Sequence, residues 1–96
     1  MAVTLIVRMK GKAGHGDALR GLLDPLPKDN DIPGCMGWEI FSNAGNGDEI
    51  LILERWESIE AHKAFIDPLV ASGALGEVLS NVETIDRAYY CEAQSV

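Results

Sequence analysis

Two apolar segments joined by a short glycine-rich loop constrain the fold of this 96-residue chain more than any other feature. Cys35 to Ser42 and Glu49 to Trp56 have the length and apolar content of β-strands. The loop between them, Asn43 to Asp48, consists of Asn, Ala, Gly and Asp residues, a composition that favours tight turns. Two strands joined by so short a loop pair as a hairpin, so the chain is predicted to contain an antiparallel sheet.

The segment before the hairpin predicts one strand and one helix. Residues 2–10 alternate between two faces, with Val, Leu and Met at the odd positions from 3 to 9, and are rich in β-branched residues. Asp17 suits the start of a helix, and the residues that follow it place Ala18, Leu19, Leu22 and Leu23 at helical spacing. Pro25 and Pro27 are expected to end or kink this helix.

The segment after the hairpin predicts a second helical region and a last strand. Ser58 is placed to cap a helix, whose inward stripe is formed by Ile59, His62, Phe65, Ile66 and Leu69. Breaks are expected at Asp67–Pro68 and at Ser72–Gly73. A short helix within residues 74–82 and a strand over residues 83–92 complete the chain.

The element order is therefore β-α-β-β-α-(α)-β, which is typical of a ferredoxin-like α+β fold with a four-stranded antiparallel sheet and its helices on one face. We expect residues 1–96 to form one such domain. Ile50 and Ile52 alternate with Leu51 and Leu53, so both faces of the sheet are apolar although helices cover only one. We therefore expect a homodimer in which two sheets pack face to face as a dimeric α/β barrel.

The composition argues against several classes of function. A net charge of −7, with only eight Lys and Arg residues, disfavours binding to nucleic acid or to anionic lipid. No apolar run is long enough to span a membrane and the N-terminus does not resemble a signal peptide, so a cytoplasmic location is expected. Cys35 and Cys91 are too few and too far apart to predict a metal site.

Trp56 ends a strand and His62 follows on the next helix, and two interpretations fit this pair. In the first, both are core residues and the histidine is hydrogen-bonded within the protein. In the second, both point into the space between sheet and helix, where an indole can stack on a flat ligand and an imidazole can transfer a proton. Glu54 shares the parity of Trp56; its carboxylate is either buried with a partner or a raised pKa, as at many active sites, or paired or solvated near the strand end. Further residues that could line such a ligand site are Trp38, Arg87, Tyr89 and Tyr90.

The stretch ERWESIEAHKAF, at residues 54–65, resembles the signature of the antibiotic biosynthesis monooxygenase family. PGCMGWEIF on the second strand and GALGEVLSNVETID before the last strand extend the resemblance over nearly the whole chain. The family comprises small dimeric α/β-barrel proteins, among them quinol monooxygenases and an anthrone oxygenase of polyketide biosynthesis.

The resemblance implies oxidation of a small aromatic or quinol substrate by O₂ with neither a metal nor another cofactor. A deprotonated, electron-rich substrate can itself pass electrons to O₂, so the protein supplies a dry cavity, a proton acceptor and hydrogen bonds. The implied proton acceptor or orienting group is His62, and the implied stacking wall and hydrogen-bond donor is Trp56. The apolar substrate-binding residues implied alongside them are Ile50, Ile52, Phe65, Ile66 and Leu69, and the strand parity of Glu54 adds it as a further substrate-binding candidate.

Departures from the family pattern keep other functions open. The anthrone-oxidising relatives carry asparagine where this chain has Ile52, tyrosine at the position of His62, and arginine where it has Gly76. Haem-degrading relatives use a histidine at the position of Ile66, so haem degradation is disfavoured. The alternatives are a binding or structural barrel without chemistry, and an isomerase that uses His62 as a general base.

Overall fold

The computed structural model describes residues 2–23 and 32–92. The elements in chain order are β1 Val3–Gly11, α1 Gly16–Leu23, β2 Cys35–Asn43, β3 Asn46–Trp56, α2 Ile59–Ser72, α3 Gly76–Ser80 and β4 Val82–Cys91. The four strands form one sheet in the order β2-β3-β1-β4, and every neighbouring pair is antiparallel. The predicted ferredoxin-like architecture is confirmed. The predicted effect of Pro25 and Pro27 falls outside the described residues.

The predicted hairpin is confirmed, and its turn is tighter than the loop Asn43–Asp48 suggested. Asn43 pairs with Asn46, so β3 begins three residues earlier than predicted. The side-chain oxygen of Asn43 accepts a hydrogen bond from the backbone N–H of Gly45 at 2.7 Å. This local bond closes the turn and lets the two strands pair almost to its tip.

Helix α2 begins where predicted but is longer than predicted. The hydroxyl of Ser58 accepts a hydrogen bond from the backbone N–H of Ala61 at 3.1 Å, which caps the first turn. The predicted break at Asp67–Pro68 is wrong, because the helix continues through Pro68 to Ser72. Pro68 is exposed, so water can reach the carbonyl that its missing N–H leaves unpaired. Gly73, with a φ of 76°, ends the helix in the left-handed conformation.

Two groups of buried side chains form the core, and both lie on the face of the sheet that the helices cover. The first, here the α2 cluster, contains Val3, Leu5, Ile32, Cys35 and Trp56, with Ile59, Phe65 and Tyr90 packed against it. The second, here the α1 cluster, contains Met9, Leu19, Leu23, Ile50 and Ile52. Val7 and Trp38 contact both clusters and join them.

The opposite face of the sheet, here the open face, is apolar at its centre as predicted. Ile6 on β1 pairs with Leu53 on β3, and Phe41 on β2 pairs with Leu51. Ile6, Leu51 and Leu53 are half-buried, and Phe41 is 43% exposed. No described helix covers this face.

The start of α1 is attached to the β2–β3 hairpin through one carboxylate. Asp48 accepts hydrogen bonds from the backbone N–H groups of Gly14 at 3.0 Å and Gly16 at 2.9 Å. These two bonds hold the pKa of the Asp48 carboxyl below its usual range. Gly16 itself is buried against the backbone of Gly47. A glycine is needed at position 16 because the hairpin occupies the space that a side chain would take.

Candidate functional site

A row of four residues crosses the sheet beneath α2 and forms the floor of the candidate site. Trp38 on β2 lies opposite Glu54 on β3, Glu54 lies opposite Leu5 on β1, and Leu5 lies opposite Tyr90 on β4. Directly paired residues in a sheet point to the same face, so all four side chains project towards the helices. His62 on α2 meets this row at its Tyr90 end.

Aromatic rings surround His62. Its imidazole is 5.1 Å from the ring centre of Trp56, with the two planes inclined at 62°. Trp56 is in turn 5.6 Å from Phe65, and Tyr90 is 5.5 Å from His62. Trp56 is 1% exposed and His62 is 8% exposed. The predicted meeting of Trp56 and His62 between sheet and helix is therefore observed, inside a group of four rings.

His62 is hydrogen-bonded to the last strand. Its Nδ1 atom lies 2.7 Å from the hydroxyl oxygen of Tyr90. Burial lowers the pKa of His62, with the negative charge of Asp67 acting in the opposite direction. The imidazole is therefore neutral at pH 7, which leaves it able to accept a proton. Burial also raises the pKa of the Tyr90 phenol, helped by the charges of Asp67 and Glu54.

Glu54 is half-buried and bound to Trp56. The indole N–H of Trp56 donates a hydrogen bond to its carboxylate, with 3.0 Å between Nε1 and Oε1. Burial raises the pKa of Glu54, and the bond from Trp56 partly offsets this effect. The structure therefore shows Glu54 near the end of β3, half-buried and paired with Trp56. The indole N–H of Trp56 therefore already donates a hydrogen bond to another residue of the protein.

The structure brings some of the predicted site residues together and separates others. Trp56, Glu54, His62 and Phe65 are joined by the contacts described above, while Ile66 and Leu69 are half-buried further along α2. Ile50 and Ile52 instead pack in the α1 cluster. At about 3.3 Å per strand residue, they lie roughly 20 and 13 Å from Trp56 along β3. Strand parity correctly predicted their face, but sharing a face does not bring residues into one site.

Tyr90 is the site residue to which the sequence gave least weight, as one of several possible walls. A buried histidine needs a hydrogen-bond partner, and tyrosine on a neighbouring strand is a common one. The pairing of β4 with β1 shifts register between Arg8 and Met9, which obscures the parity of β4 when it is counted from its start.

Three further observations concern the described residues alone. A shallow depression of about 290 Å³ lies at the hairpin end of the sheet, with Arg8, Phe41 and Leu51 of the open face among its lining residues. It is separate from the His62 cluster. Within residues 2–23 and 32–92, no group of three or more His, Cys, Asp or Glu side chains is placed to hold a metal ion. No helix in the same ranges is long and apolar enough to cross a membrane.

Comparison with known proteins gives a family match and several similar folds. Residues 2–67, more than half of the chain, match the family model described as antibiotic biosynthesis monooxygenase. No curated protein matches the chain significantly.

Solved structures resemble the chain over its full length. One from Chloroflexus aurantiacus, provisionally described as an antibiotic biosynthesis monooxygenase, is 24% identical with a TM-score of 0.80, covering 100% of this chain and 97% of the other. A protein of Mycobacterium tuberculosis is 21% identical with a TM-score of 0.72, covering 100% and 98%. Another, from Deinococcus radiodurans and with the same provisional description as the first, is 23% identical with a TM-score of 0.64, covering 100% and 95%. At these identities the likeness establishes a shared fold.

Proposed function

Because the chain belongs to the antibiotic biosynthesis monooxygenase family, we propose that it is a cofactor-independent monooxygenase that oxidises a small, electron-rich aromatic or quinol substrate with O₂. The observation that carries the proposal is His62, a buried imidazole in contact with the ring of Trp56 and bound at Nδ1 by Tyr90. This arrangement leaves one ring nitrogen, Nε2, for a substrate.

His62 is the proposed proton acceptor. Its lowered pKa keeps it neutral at pH 7, and an apolar surrounding strengthens the interaction between the imidazolium formed and a substrate anion. Phe65, which is half-buried, is the proposed ring surface for a flat substrate, with the buried Trp56 packed behind it and with Ile66 and Leu69 as the proposed apolar lining along α2. The proposed cavity lies where these side chains meet β4, at the Tyr90 end of the row.

The substrate supplies all the electrons for the proposed reaction. His62 takes the proton from an acidic O–H or C–H bond, and the resulting anion transfers an electron to O₂. For an anthrone, the radical pair combines at the ring methylene, and loss of water from the peroxide converts CH₂ to C=O. One atom of O₂ enters the product and the other leaves as water, so no external reductant is needed.

The proposal is tested by O₂ uptake with chelator-treated protein. A panel of anthrones and reduced quinones is incubated under air, with the protein-free autoxidation rate subtracted. At least one substrate is expected to consume O₂ one for one with product formed. No uptake above the blank across the panel, together with saturable binding of the same compounds, would favour the binding-module alternative. His62-dependent exchange of a substrate proton without O₂ uptake would favour the isomerase.

The proposed active form is a homodimer. The open face presents Ile6, Leu51, Leu53 and Phe41, a contiguous apolar surface of a kind that is rare on monomers. In a two-fold dimer each sheet covers the other, which would close the two open faces into one barrel.

Leu53→Arg is expected to break this dimer, because two-fold symmetry introduces the charge twice into an apolar interface. We expect the dissociation constant to rise about 100-fold or more in analytical ultracentrifugation. Leu79→Arg is the matched control, since Leu79 is exposed on α3 on the helix side, and should leave the dimer intact. Wild-type protein that sediments as a monomer at micromolar concentration would contradict the proposed dimer.

A further inference from the structure

We propose that Tyr90 is a positioning residue that holds His62 in the Nδ1–H tautomer, so that Nε2 is the atom that accepts the substrate proton. The inference rests on the proposed function for the identity of that proton. The geometry behind it is independent of the reaction: Nδ1 of His62 lies 2.7 Å from the Tyr90 hydroxyl oxygen, and the two rings are inclined at 71°.

The proton-accepting role decides the direction of this hydrogen bond. A neutral imidazole carries one proton, and the nitrogen engaged by a neighbour determines which nitrogen remains free. If the phenol donated to Nδ1, the proton would sit on Nε2, and His62 would be unable to accept one there. With Nδ1–H donating to the phenol oxygen, Nε2 has a free lone pair.

A hydrogen bond donated by Nδ1–H of His62 to Tyr90 is also the one that the protonated imidazolium requires. When the substrate O–H or C–H bond breaks and an N–H bond forms at Nε2, both ring nitrogens carry protons and Nδ1–H must donate. The Tyr90 oxygen already accepts from it, so no group has to rotate as the charge forms. This is the role of the third group that orients a catalytic base. Tyr90 then also helps to stabilise the imidazolium.

The other groups around His62 support a neutral phenol as the acceptor. Burial raises the pKa of Tyr90, and the charges of Asp67 on α2 and Glu54 on β3 add to the effect, so the phenol keeps its proton at pH 7. Glu54 is itself occupied by the indole N–H of Trp56. On β1, the residues beneath the cluster are apolar, namely Val3 and Leu5. Among these groups, Tyr90 is the one bonded to His62.

The tautomer is measured directly, without a substrate. Protein labelled with ¹⁵N-histidine gives distinct nitrogen chemical shifts for protonated and unprotonated ring nitrogens, and the His15 signals are assigned from His15→Gln. We expect the wild type to carry its proton on Nδ1 of His62. Tyr90→Phe, which removes only the hydroxyl, should shift the population towards Nε2–H. Tyr89→Phe removes a hydroxyl from the opposite face of β4 and should leave the His62 tautomer unchanged.

Turnover gives the second readout. Tyr90→Phe is expected to lower kcat/KM ~10- to 100-fold, the usual effect of losing a hydrogen bond to a charged group. Losing the acceptor also lowers the pKa of His62 further, so the acidic limb of the kcat/KM profile should move to lower pH. A purely structural role would lower the plateau and leave the limb in place.

These results separate the two proposals. A wild-type proton on Nε2, or a tautomer unchanged in Tyr90→Phe, would overturn the role of Tyr90 whether or not turnover is found. Nδ1–H in the wild type and its loss in Tyr90→Phe would support that role even if no substrate in the panel consumed O₂. Absence of O₂ consumption with every substrate in the panel would count against the proposed oxidation and not against the role of Tyr90.

Discussion

Replacing His62 by glutamine is expected to lower kcat by about 10²- to 10⁴-fold, the usual contribution of a positioned general base. Glutamine can still hydrogen-bond to Tyr90 and fills much of the same space, but its amide cannot accept a proton at pH 7. KM should change little, because the ring of Phe65 and the apolar lining formed by Ile66 and Leu69 remain. The measurement is steady-state O₂ uptake with the best substrate of the panel.

Loss of activity through poor folding is controlled by a second core variant. Leu19→Val shortens a fully buried side chain in the α1 cluster, away from His62, and should cost about 1 kcal/mol in the free energy of unfolding. We expect it to retain the wild-type kcat at temperatures below its melting transition. A folded His62→Gln protein with wild-type kcat would remove His62 from the mechanism.

Of the two glycines in α1, Gly16 is the one whose replacement by alanine is expected to destabilise the protein strongly. A Cβ at position 16 would overlap the carbonyl oxygen of Gly47, and would lie 2.8 Å from its carbonyl carbon and 2.9 Å from Oδ1 of Asp48. The obstruction is largely backbone, so relief requires α1 and the hairpin to separate. We expect the free energy of unfolding to fall by at least ~2 kcal/mol, measured by urea denaturation.

Gly21→Ala provides the matched control on the same helix. A Cβ at position 21 meets no atom within 4 Å, and alanine is the better helix former. This variant should therefore be more stable than the wild type, by about 0.5 to 1 kcal/mol. If both alanine variants changed stability equally, the close packing of α1 against the hairpin would be refuted.

Most of the fold could be predicted from the sequence because local rules and the overall fold agree. Alternation identified the strands, the Asn- and Gly-rich turn fixed the β2–β3 pairing, and Ser58 marked the start of α2. The error at Asp67–Pro68 arose because proline propensity does not show whether the affected carbonyl faces solvent. The approach of Gly16 to the hairpin is a contact between distant segments, which no local pattern contains.

Part of the candidate site could also be predicted from local rules. Helical spacing and strand parity brought Trp56 and His62 together correctly, because both rules act over a few residues. Neither rule measures distance along a strand, so Ile50 and Ile52 were predicted as site residues although they lie in the α1 cluster. The bond between His62 and Tyr90 depends on the register of β4 against β1, including its irregularity, and could be established only from the three-dimensional structure.

The most direct test of the proposed chemistry follows isotopically labelled O₂ into the product. Chelator-treated wild-type protein is mixed with an anthrone under ¹⁸O₂, and the initial rate of product formation is compared with His62→Gln and with buffer alone. We predict that the wild type forms a carbonyl product carrying one ¹⁸O atom at a rate at least 100-fold above His62→Gln. Equal rates in all three samples, across the anthrones and reduced quinones of the panel, would contradict the assignment of this protein as a cofactor-independent monooxygenase.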